Sequence, residues 1–361
     1  MTYVVGFPRI GEQRELKKAL EAYWAGNSSQ EELQNVASDL RKRHWIYQKN
    51  AGIDLISIND FSFYDNMIDA MVMLNATPAK YDDVEGMDKY FSMARGDDNH
   101  KAMEMTKWFN TNYHYIVPEL DENMNFKASI TKIKKEFAEA KELGISPKVN
   151  FIGLITFVKL SKINGSEDAI IEKLIPVYVD LIKQLKELDS NITIQFDESY
   201  FVTNPTEKDL PTLKKVYDVL TAESDNIFVA TYFEHSNEAN EVLAQTNIKG
   251  MFLDFVAGSE NSVKALVKAG KKVGIGIVNG RNVWVNDIEE SVKFLKGISE
   301  VANKDKILVG SSCSLLHVPF TLKYEEKMDS DIKSWLSYAV EKLNEIKIID
   351  KLFNGIELSA E

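Results

Sequence analysis

The stretch Met1–Lys17, MTYVVGFPRIGEQRELK, guides the interpretation of the whole chain. Its β-branched and aromatic run Tyr3–Val5 is interrupted at Gly6-Phe7-Pro8, and a helical apolar pattern begins after Gly11. Glycine and proline between two such patterns are typical of a turn. We therefore predict a strand, a turn and a helix, which together form the first unit of a βα repeat.

The first turn of this predicted helix is rich in positive charge, with Arg14, Lys17 and Lys18 close together. A helix N-terminus already carries partial positive charge from its unpaired N–H groups, so added cations there are unfavourable unless an anion arrives. Two interpretations remain open at this point. The cations form an anion-binding site, or they are solvated surface charges.

The composition excludes several classes of protein. The chain has 361 residues, 44% of them hydrophobic, and a net charge of −12, which argues against nucleic acid or an anionic membrane as the main partner. The single cysteine, Cys313, excludes an intramolecular disulfide and a zinc site built from several cysteines. No apolar run reaches the roughly 18 residues of a membrane span, and no signal pattern is present, so we expect a cytoplasmic protein.

Eight short apolar runs, most of them followed by a helical pattern, recur along the chain. They are Tyr3–Gly6, Ile53–Ile58, Val149–Leu154, Ile192–Asp197, Ile227–Thr231, Met251–Asp254, Val273–Ile277 and Ile307–Gly310. This alternation indicates an α/β protein whose parallel sheet is covered on both faces. We predict a single (βα)8 TIM barrel. A doubly wound open sheet is the alternative, although the first turn lacks the G-x-G-x-x-G fingerprint of nucleotide-binding folds.

Two further segments do not belong to the regular repeat. About ninety residues separate the second and third strands, which predicts a long insertion because ordinary βα loops are far shorter. After the eighth strand, residues 331–352 form one amphipathic stretch, which predicts an extra C-terminal helix. We place the barrel at 1–330, and the C-terminal helix with the start of a linker at 331–361.

Candidate catalytic residues are sought at the carboxyl ends of the strands, where (βα)8 enzymes carry them. Asp197 and Glu198 could supply a general acid or a nucleophile there, or could simply accept hydrogen bonds from backbone amides. The run Lys107–Tyr115 combines aromatic rings, amides and a lysine, which suits a flat heteroaromatic ligand with acid groups. The same run could equally be an aromatic loop packed over the barrel.

A catalytic zinc site needs three protein ligands and one open position. Cys313, His235 and His317 make such a site conceivable. An isolated cysteine, however, is more often a small buried apolar group than a ligand.

Five strings of residues resemble the amino-terminal half of cobalamin-independent methionine synthase. They are Gly6–Gly11 followed by Arg14–Lys17, Asp60–Asp65, Lys107–Tyr115, Gly280–Trp284 and Ser311–Pro319. That family consists of two (βα)8 barrels and transfers the methyl group of 5-methyltetrahydrofolate triglutamate to homocysteine. The resemblance implies that Arg14, Glu15, Leu16, Lys17 and Lys107 bind the folate polyglutamate.

The family's zinc ligands, homocysteine site and pterin pocket belong to its carboxyl-terminal barrel, which this sequence does not contain. In this sequence only Asp254 and Cys313 stand at positions that approximate zinc ligands of the family. The segment Phe228–His235 lacks the family's His-x-Cys pair. The resemblance therefore implies that this chain holds neither a metal nor catalytic residues. Zinc is expected only in the complete enzyme.

Our main hypothesis is a folate-polyglutamate-binding barrel that is inactive by itself. Its expected partners are 5-methyltetrahydropteroyltri-L-glutamate and a carboxyl-terminal catalytic barrel, on the same polypeptide or on a separate one, with no nucleic acid or membrane. Two alternatives stay open. One is a stand-alone hydrolase or other methyltransferase that uses Asp197 or Glu198 with Cys313, and the other is a non-catalytic docking barrel for a separate zinc-bearing half.

Overall fold

The computed structural model describes residues 1–358, and within them an eight-stranded, all-parallel sheet forms the centre of the protein. The strands are β1 (Thr2–Tyr3), β2 (Ser57–Ile58), β3 (Met105–Lys107), β4 (His114–Ile116), β5 (Glu119–Asp121), β6 (Lys148–Ile152), β7 (Lys162–Asn164), β8 (Thr193–Asp197), β9 (Ile227–Thr231), β10 (Gly250–Asp254), β11 (Lys272–Val278) and β12 (Ile307–Ser311). The main sheet has the order β1-β12-β11-β10-β9-β8-β6-β2, and β3 pairs with β4 and β5 with β7 in two small sheets. Each of the eight predicted strands lies in the main sheet.

Helices lie between the strands of the main sheet and in the segments that extend from it. They are α1 (Glu15–Trp24), α2 (Gln30–Ala51), α3 (Asn66–Met73), α4 (Gly86–Arg95), α5 (Thr131–Glu142), α6 (Leu154–Lys159), α7 (Glu167–Leu188), α8 (Asp209–Glu223), α9 (Asn237–Leu243), α10 (Lys264–Lys268), α11 (Ile288–Ser299), α12 (Ser330–Ser334) and α13 (Ala339–Phe353). In the described part of the chain, none of these helices has the length and apolar character needed to cross a bilayer.

The two edges of the main sheet approach each other. Tyr3 in β1 forms a parallel bridge with Leu55, just before β2. The Leu55 amide also donates a hydrogen bond of 3.0 Å to the carbonyl of Thr2. The sheet is therefore curled so strongly that its first strand meets the segment leading into β2.

An aromatic stack fills the interior of the curled sheet. The fully buried ring of Tyr3 stacks on Phe252 at a centroid distance of 4.2 Å, and Phe252 stacks on Phe228 at 4.7 Å. Gly310 in the neighbouring β12 leaves the space for the tyrosine ring, because a Cβ atom at that position would lie 2.4 Å from a ring carbon. The glycine is required by this close approach rather than by its backbone conformation.

We expect Gly310→Ala to lower the free energy of unfolding by about 1–3 kcal/mol, because the added methyl group overpacks the ring of Tyr3. Gly297→Ala is the matched control, since Gly297 lies in α11 with no atom near its missing Cβ. That change should be neutral or stabilise the protein by up to about 1 kcal/mol. Urea unfolding of both variants checks the prediction, and a Gly310→Ala protein as stable as the parent would contradict the packing of Tyr3.

The C-terminal segment differs from its prediction. The stretch 331–352, predicted as one helix, forms α12 and α13 with a break between them. The chain leaves the helix because its backbone pairs with another loop, Val285 donating to the carbonyl of Trp335 at 2.9 Å and Ser337 to that of Val283 at 2.7 Å. The end of the predicted linker, residues 359–361, lies outside the described residues.

Candidate functional site

The loop after β1 leads directly into α1, which carries the first group of predicted binding residues. Arg14 is the N-cap of α1 and adopts a left-handed backbone conformation with φ of 61°. A non-glycine residue in this region costs about 1 kcal/mol or more, and such strain is often found at functional sites. Its exposed side chain has neither an ion-pair nor a hydrogen-bond partner within residues 1–358. Lys17, one turn further on, is also exposed and lies 3.5 Å from Glu21.

The two residues between these cations have different environments. Glu15 accepts a hydrogen bond from the amide of Gln13 at 2.9 Å and forms an ion pair with Arg43 at 2.5 Å. Leu16 is 1% exposed and packs in the core. The side chains of Arg14 and Lys17 therefore face solvent, whereas those of Glu15 and Leu16 hold α1 in place.

Lys107 lies at the end of β3, in the hairpin that β3 forms with β4, where it is paired with His114. Its side chain is exposed, and no ion pair involves it in the described part of the chain. The hairpin is fixed over the carboxyl edge of the main sheet, because Arg9 donates to the Tyr113 hydroxyl at 2.7 Å and Arg281 to the Asn110 side chain at 2.9 Å. The hairpin that carries Lys107 thus contacts the loop that precedes Arg14.

The packing of the predicted aromatic run agrees with its interpretation as an aromatic loop over the sheet. Trp108 is buried and makes an edge contact with Tyr115 at 5.5 Å, as expected for a loop packed over the sheet. Phe109 packs on Phe233 at 5.6 Å. Lys107 lies outside this packed cluster and is exposed.

Beneath the hairpin a cavity of about 70 Å³ opens among the carboxyl ends of the strands. Its polar wall includes Arg9, Asp60, Asn66, Asp197 and His317. Burial raises the pKa of Asp60 and that of Asp197 to about 6, although nearby Lys148 opposes the rise. Burial, together with Arg281, lowers the pKa of His317 to about 4, so this imidazole is neutral near pH 7.

Lys148, at the start of β6, is fully buried inside the curled sheet. Its ammonium group donates to Ser57 at 2.8 Å, to the Asn150 side chain at 2.6 Å and to the Gln195 side chain at 2.5 Å. Burial lowers its pKa to about 7, and the charges of Asp197 and Asp60 counteract that shift. The strand predicted from the sequence begins at Val149, so Lys148 is not among the candidate residues. The missed signal was the pair of polar residues two apart, Lys148 and Asn150, on one face of a strand.

Asp197 and Glu198 do not form a catalytic pair. The Glu198 carboxylate accepts hydrogen bonds from the amide and hydroxyl of Thr156, at 2.8 and 2.7 Å, at the start of α6. Ile155 and Tyr217 donate to its other oxygen. Asp197 lies instead at the cavity, bound to Gln195 and Tyr232. Glu198 therefore has the role of a buried cap on a helix start.

The conceivable zinc site is not formed. His235 is half-buried and lies 3.1 Å from Glu234, whereas Cys313 is fully buried and burial raises the pKa of its thiol. The Asp254 carboxylate accepts hydrogen bonds from the amides of Phe233, Val256 and Ala257. Across residues 1–358, no three His, Cys, Asp or Glu side chains are arranged to hold a metal ion. The residues present therefore do not fit zinc.

The main sheet is curled and all-parallel, and polar side chains collect at its carboxyl edge. These features place the protein in the α/β class. Residues 1–303 match the family model described as the N-terminal domain of cobalamin-independent synthase. The chain belongs to this cobalamin-independent methionine synthase family and matches its amino-terminal domain, which confirms the resemblance inferred from the sequence.

Relatives from bacteria and plants support this assignment. The chain is 49% identical over 358 residues to 5-methyltetrahydropteroyltriglutamate–homocysteine methyltransferase of Desulforamulus reducens, covering 98% of this chain and 47% of that protein. It is 41% identical over 369 residues to the chloroplastic enzyme 3 of that name from Arabidopsis thaliana, covering 98% and 45%. The chain thus spans about half the length of these relatives.

Two solved structures share the fold. One is a putative vitamin-B12-independent methionine synthase from Listeria monocytogenes, with a TM-score of 0.66, 14% identity and coverage of 99% of this chain and 97% of that one. The other is a B12-independent methionine synthase from Shewanella in complex with selenomethionine, with a TM-score of 0.67, 15% identity and 91% of each chain covered. At such low identity these matches bear on the fold alone.

Proposed function

We propose that this chain is the folate-polyglutamate-binding half of a cobalamin-independent methionine synthase. The observation that carries the proposal is the exposure of Arg14, Lys17 and Lys107 on contacting segments at one edge of the main sheet. The relatives are named for a pteroyltriglutamate substrate, whose tail is a string of carboxylates. In a protein of net charge −12, such a tail needs a local group of cations.

The architecture we propose for this half is a single (βα)8 barrel over residues 1–330 with an insertion between β2 and β6. The bridge between Tyr3 and Leu55 supports closure of the sheet. Residues 331–361 are proposed to be the C-terminal helices and the start of a linker to the second barrel. A cytoplasmic location is part of the same proposal.

The binding groups act together on the tail. Arg14 and Lys17 lie one helical turn apart, so their cationic groups can meet successive carboxylates of the triglutamate. The N–H groups at the start of α1 add partial positive charge in the same place. Lys107 approaches from the hairpin. Methyl transfer itself, with zinc and homocysteine, is assigned to the carboxyl-terminal half, because the residues of this half do not fit a metal.

We expect Lys107→Ala to weaken binding of the triglutamate form of 5-methyltetrahydrofolate about tenfold, the loss that corresponds to one charge-assisted contact. Binding of the monoglutamate form should change far less, because it lacks the outer carboxylates. Isothermal titration calorimetry of both ligands checks this, and Lys101→Ala is the control because Lys101 is an exposed lysine of the same insertion. Equal losses for both ligands would contradict a role in tail binding.

A surface for the catalytic half is proposed around two exposed tryptophans. Trp284 and Trp335 are 56% and 58% exposed and lie on paired segments, with Val285 hydrogen-bonded to the carbonyl of Trp335. Large exposed aromatic groups in one patch are typical of protein interfaces. The relatives are about twice as long as this chain, and the partner we propose for this surface is a carboxyl-terminal half like theirs.

We expect methionine formation only when this chain is mixed with a separately expressed carboxyl-terminal half, for which the Desulforamulus reducens relative is a suitable source. Trp335→Ala should weaken that association by about 2 kcal/mol, the scale of an aromatic interface anchor. Val301→Ala, which changes an exposed apolar residue elsewhere, is the control. Turnover by this chain alone would contradict the division of labour between the halves, and unchanged association of the Trp335 variant would contradict the surface.

A further inference from the structure

None of the residues proposed to bind the polyglutamate tail lines the cavity beneath the β3–β4 hairpin. The cavity lies at the carboxyl ends of the strands, and its walls combine apolar side chains with polar ones, which are the more numerous. Phe151, Trp108 and Leu316 contribute to the apolar part. Clefts at the carboxyl ends of parallel strands are common places for small-molecule binding.

Three carboxylates line this cavity, those of Asp60, Asp69 and Asp197. Asp69 is already ion-paired with Lys132 at 3.1 Å, whereas Asp60 and Asp197 have capacity to accept more hydrogen bonds. One oxygen of Asp60 accepts from the amide of Phe7 at 2.9 Å, and its other oxygen has no donor within the described residues. Each oxygen of Asp197 accepts one bond, from Gln195 at 2.6 Å and from the Tyr232 hydroxyl at 3.0 Å. A carboxylate oxygen accepts two hydrogen bonds, so both side chains have unused lone pairs.

A third acceptor at the cavity lacks a partner altogether. The side-chain carbonyl oxygen of Asn66 is buried, and no donor for it occurs among residues 1–358. A buried acceptor without a donor costs about 1–3 kcal/mol, so its survival in a folded protein calls for an explanation. Since Asn66 lines the same cavity as Asp60 and Asp197, a ligand that donates hydrogen bonds would supply the missing partner.

These groups together select a particular chemistry. A primary ammonium group has three N–H donors and one positive charge, which matches three acceptors of which two are carboxylates. Trp108, Tyr113 and Tyr232 also line the cavity, and aromatic rings stabilise a nearby cation. The apolar wall suits a short hydrocarbon chain.

We propose that this cavity binds a small primary ammonium compound with a short apolar chain, its ammonium group held by Asp60, Asp197 and Asn66. Such a compound is either a simple amine or an α-amino acid. Arg9 distinguishes the two sources, because its guanidinium lines the same cavity and would bind the carboxylate of an amino acid.

The test uses the whole chain and isothermal titration calorimetry with n-propylamine, L-2-aminobutyrate and propan-1-ol. The alcohol has the size of the amine without its charge, so this comparison needs no variant. We expect the amine or the amino acid to bind and the alcohol not to bind. Tighter binding of L-2-aminobutyrate would identify the ligand as an α-amino acid, and tighter binding of n-propylamine would identify it as a simple amine. Equal weak signals for all three compounds would overturn the proposal.

Variants locate the site. Asp197→Asn is expected to weaken binding of the preferred compound about tenfold, because it removes a charged acceptor. Asn66→Leu should weaken it as well, by removing the buried carbonyl oxygen. Asp218→Asn is the control, since Asp218 is an exposed residue of α8 paired with Lys214. Unchanged affinity in both cavity variants, with their folding verified by circular dichroism, would place any binding elsewhere and reject this site.

Discussion

Replacing Lys148 by methionine is expected to lower the free energy of unfolding by about 3–5 kcal/mol, the usual cost of removing one partner from a buried charged network. The methionine side chain fills a similar volume but cannot donate hydrogen bonds. Ser57, Asn150 and Gln195 would each lose a donor at the centre of the sheet. Asp197 would in addition lose the nearest buried cation that favours its ionised form.

Urea unfolding near neutral pH measures this loss. Lys268→Met is the control, because Lys268 is an exposed residue of α10 and its replacement should change stability by less than about 0.5 kcal/mol. Adding Asp197→Asn to the Lys148 variant should recover part of the loss, since it removes a carboxylate left without its cation. A Lys148→Met protein within about 1 kcal/mol of the parent would contradict a network held by this ammonium group.

The strands of the main sheet could be predicted because each is a short, nearly continuous apolar run with polar residues or glycine after it. Helix α7, Glu167–Leu188, is equally local in origin, since its apolar residues recur at regular helical spacing. The break between α12 and α13 could not be predicted in this way. It depends on backbone pairing with residues 283–285, which are distant in sequence.

Some features of the candidate site can be predicted from neighbouring residues in the sequence, whereas others depend on contacts that form only in the fold. The positive charge of Arg14 and Lys17 at a helix start is a local feature, and the exposure of both agrees with it. The contact of Arg9 with Tyr113 joins residues 104 positions apart and follows only from the fold. Asn66 gave no sequence signal, because what sets it apart is burial without a partner.

Glu198 shows why a carboxylate at a strand end is weak evidence for catalysis. Four donors from Ile155, Thr156 and Tyr217 surround its two oxygens, which leaves no position for a substrate atom. We expect Glu198→Ala to lower the free energy of unfolding by about 3–5 kcal/mol, because it leaves these donors buried without an acceptor and opens a cavity. An equally stable variant would contradict this structural role.

The pH dependence of stability gives a second test of Glu198. Burial raises its pKa from the ordinary 4.5 to about 7, although the hydrogen bonds from Thr156, Ile155 and Tyr217 oppose the rise. Between these two pH values the folded protein binds more protons than the unfolded chain. The contribution of the Glu198 carboxyl group to the free energy of unfolding is therefore complete below about pH 4.5 and is lost as the pH rises through 7. Glutamine does not titrate. The free energy of unfolding of the parent, minus that of Glu198→Gln, should therefore fall between about pH 4.5 and 7 and remain constant above pH 7.

Urea unfolding of both proteins at several pH values across the window measures this difference. Glu187→Gln, an exposed glutamate of α7, is the control and should differ from the parent by a nearly constant amount. A constant difference for Glu198→Gln as well would mean that its carboxylate stays ionised in the fold, with the four hydrogen bonds outweighing burial. A falling difference would mean that burial dominates, and that the protein keeps this carboxyl group at a cost to its stability near neutral pH.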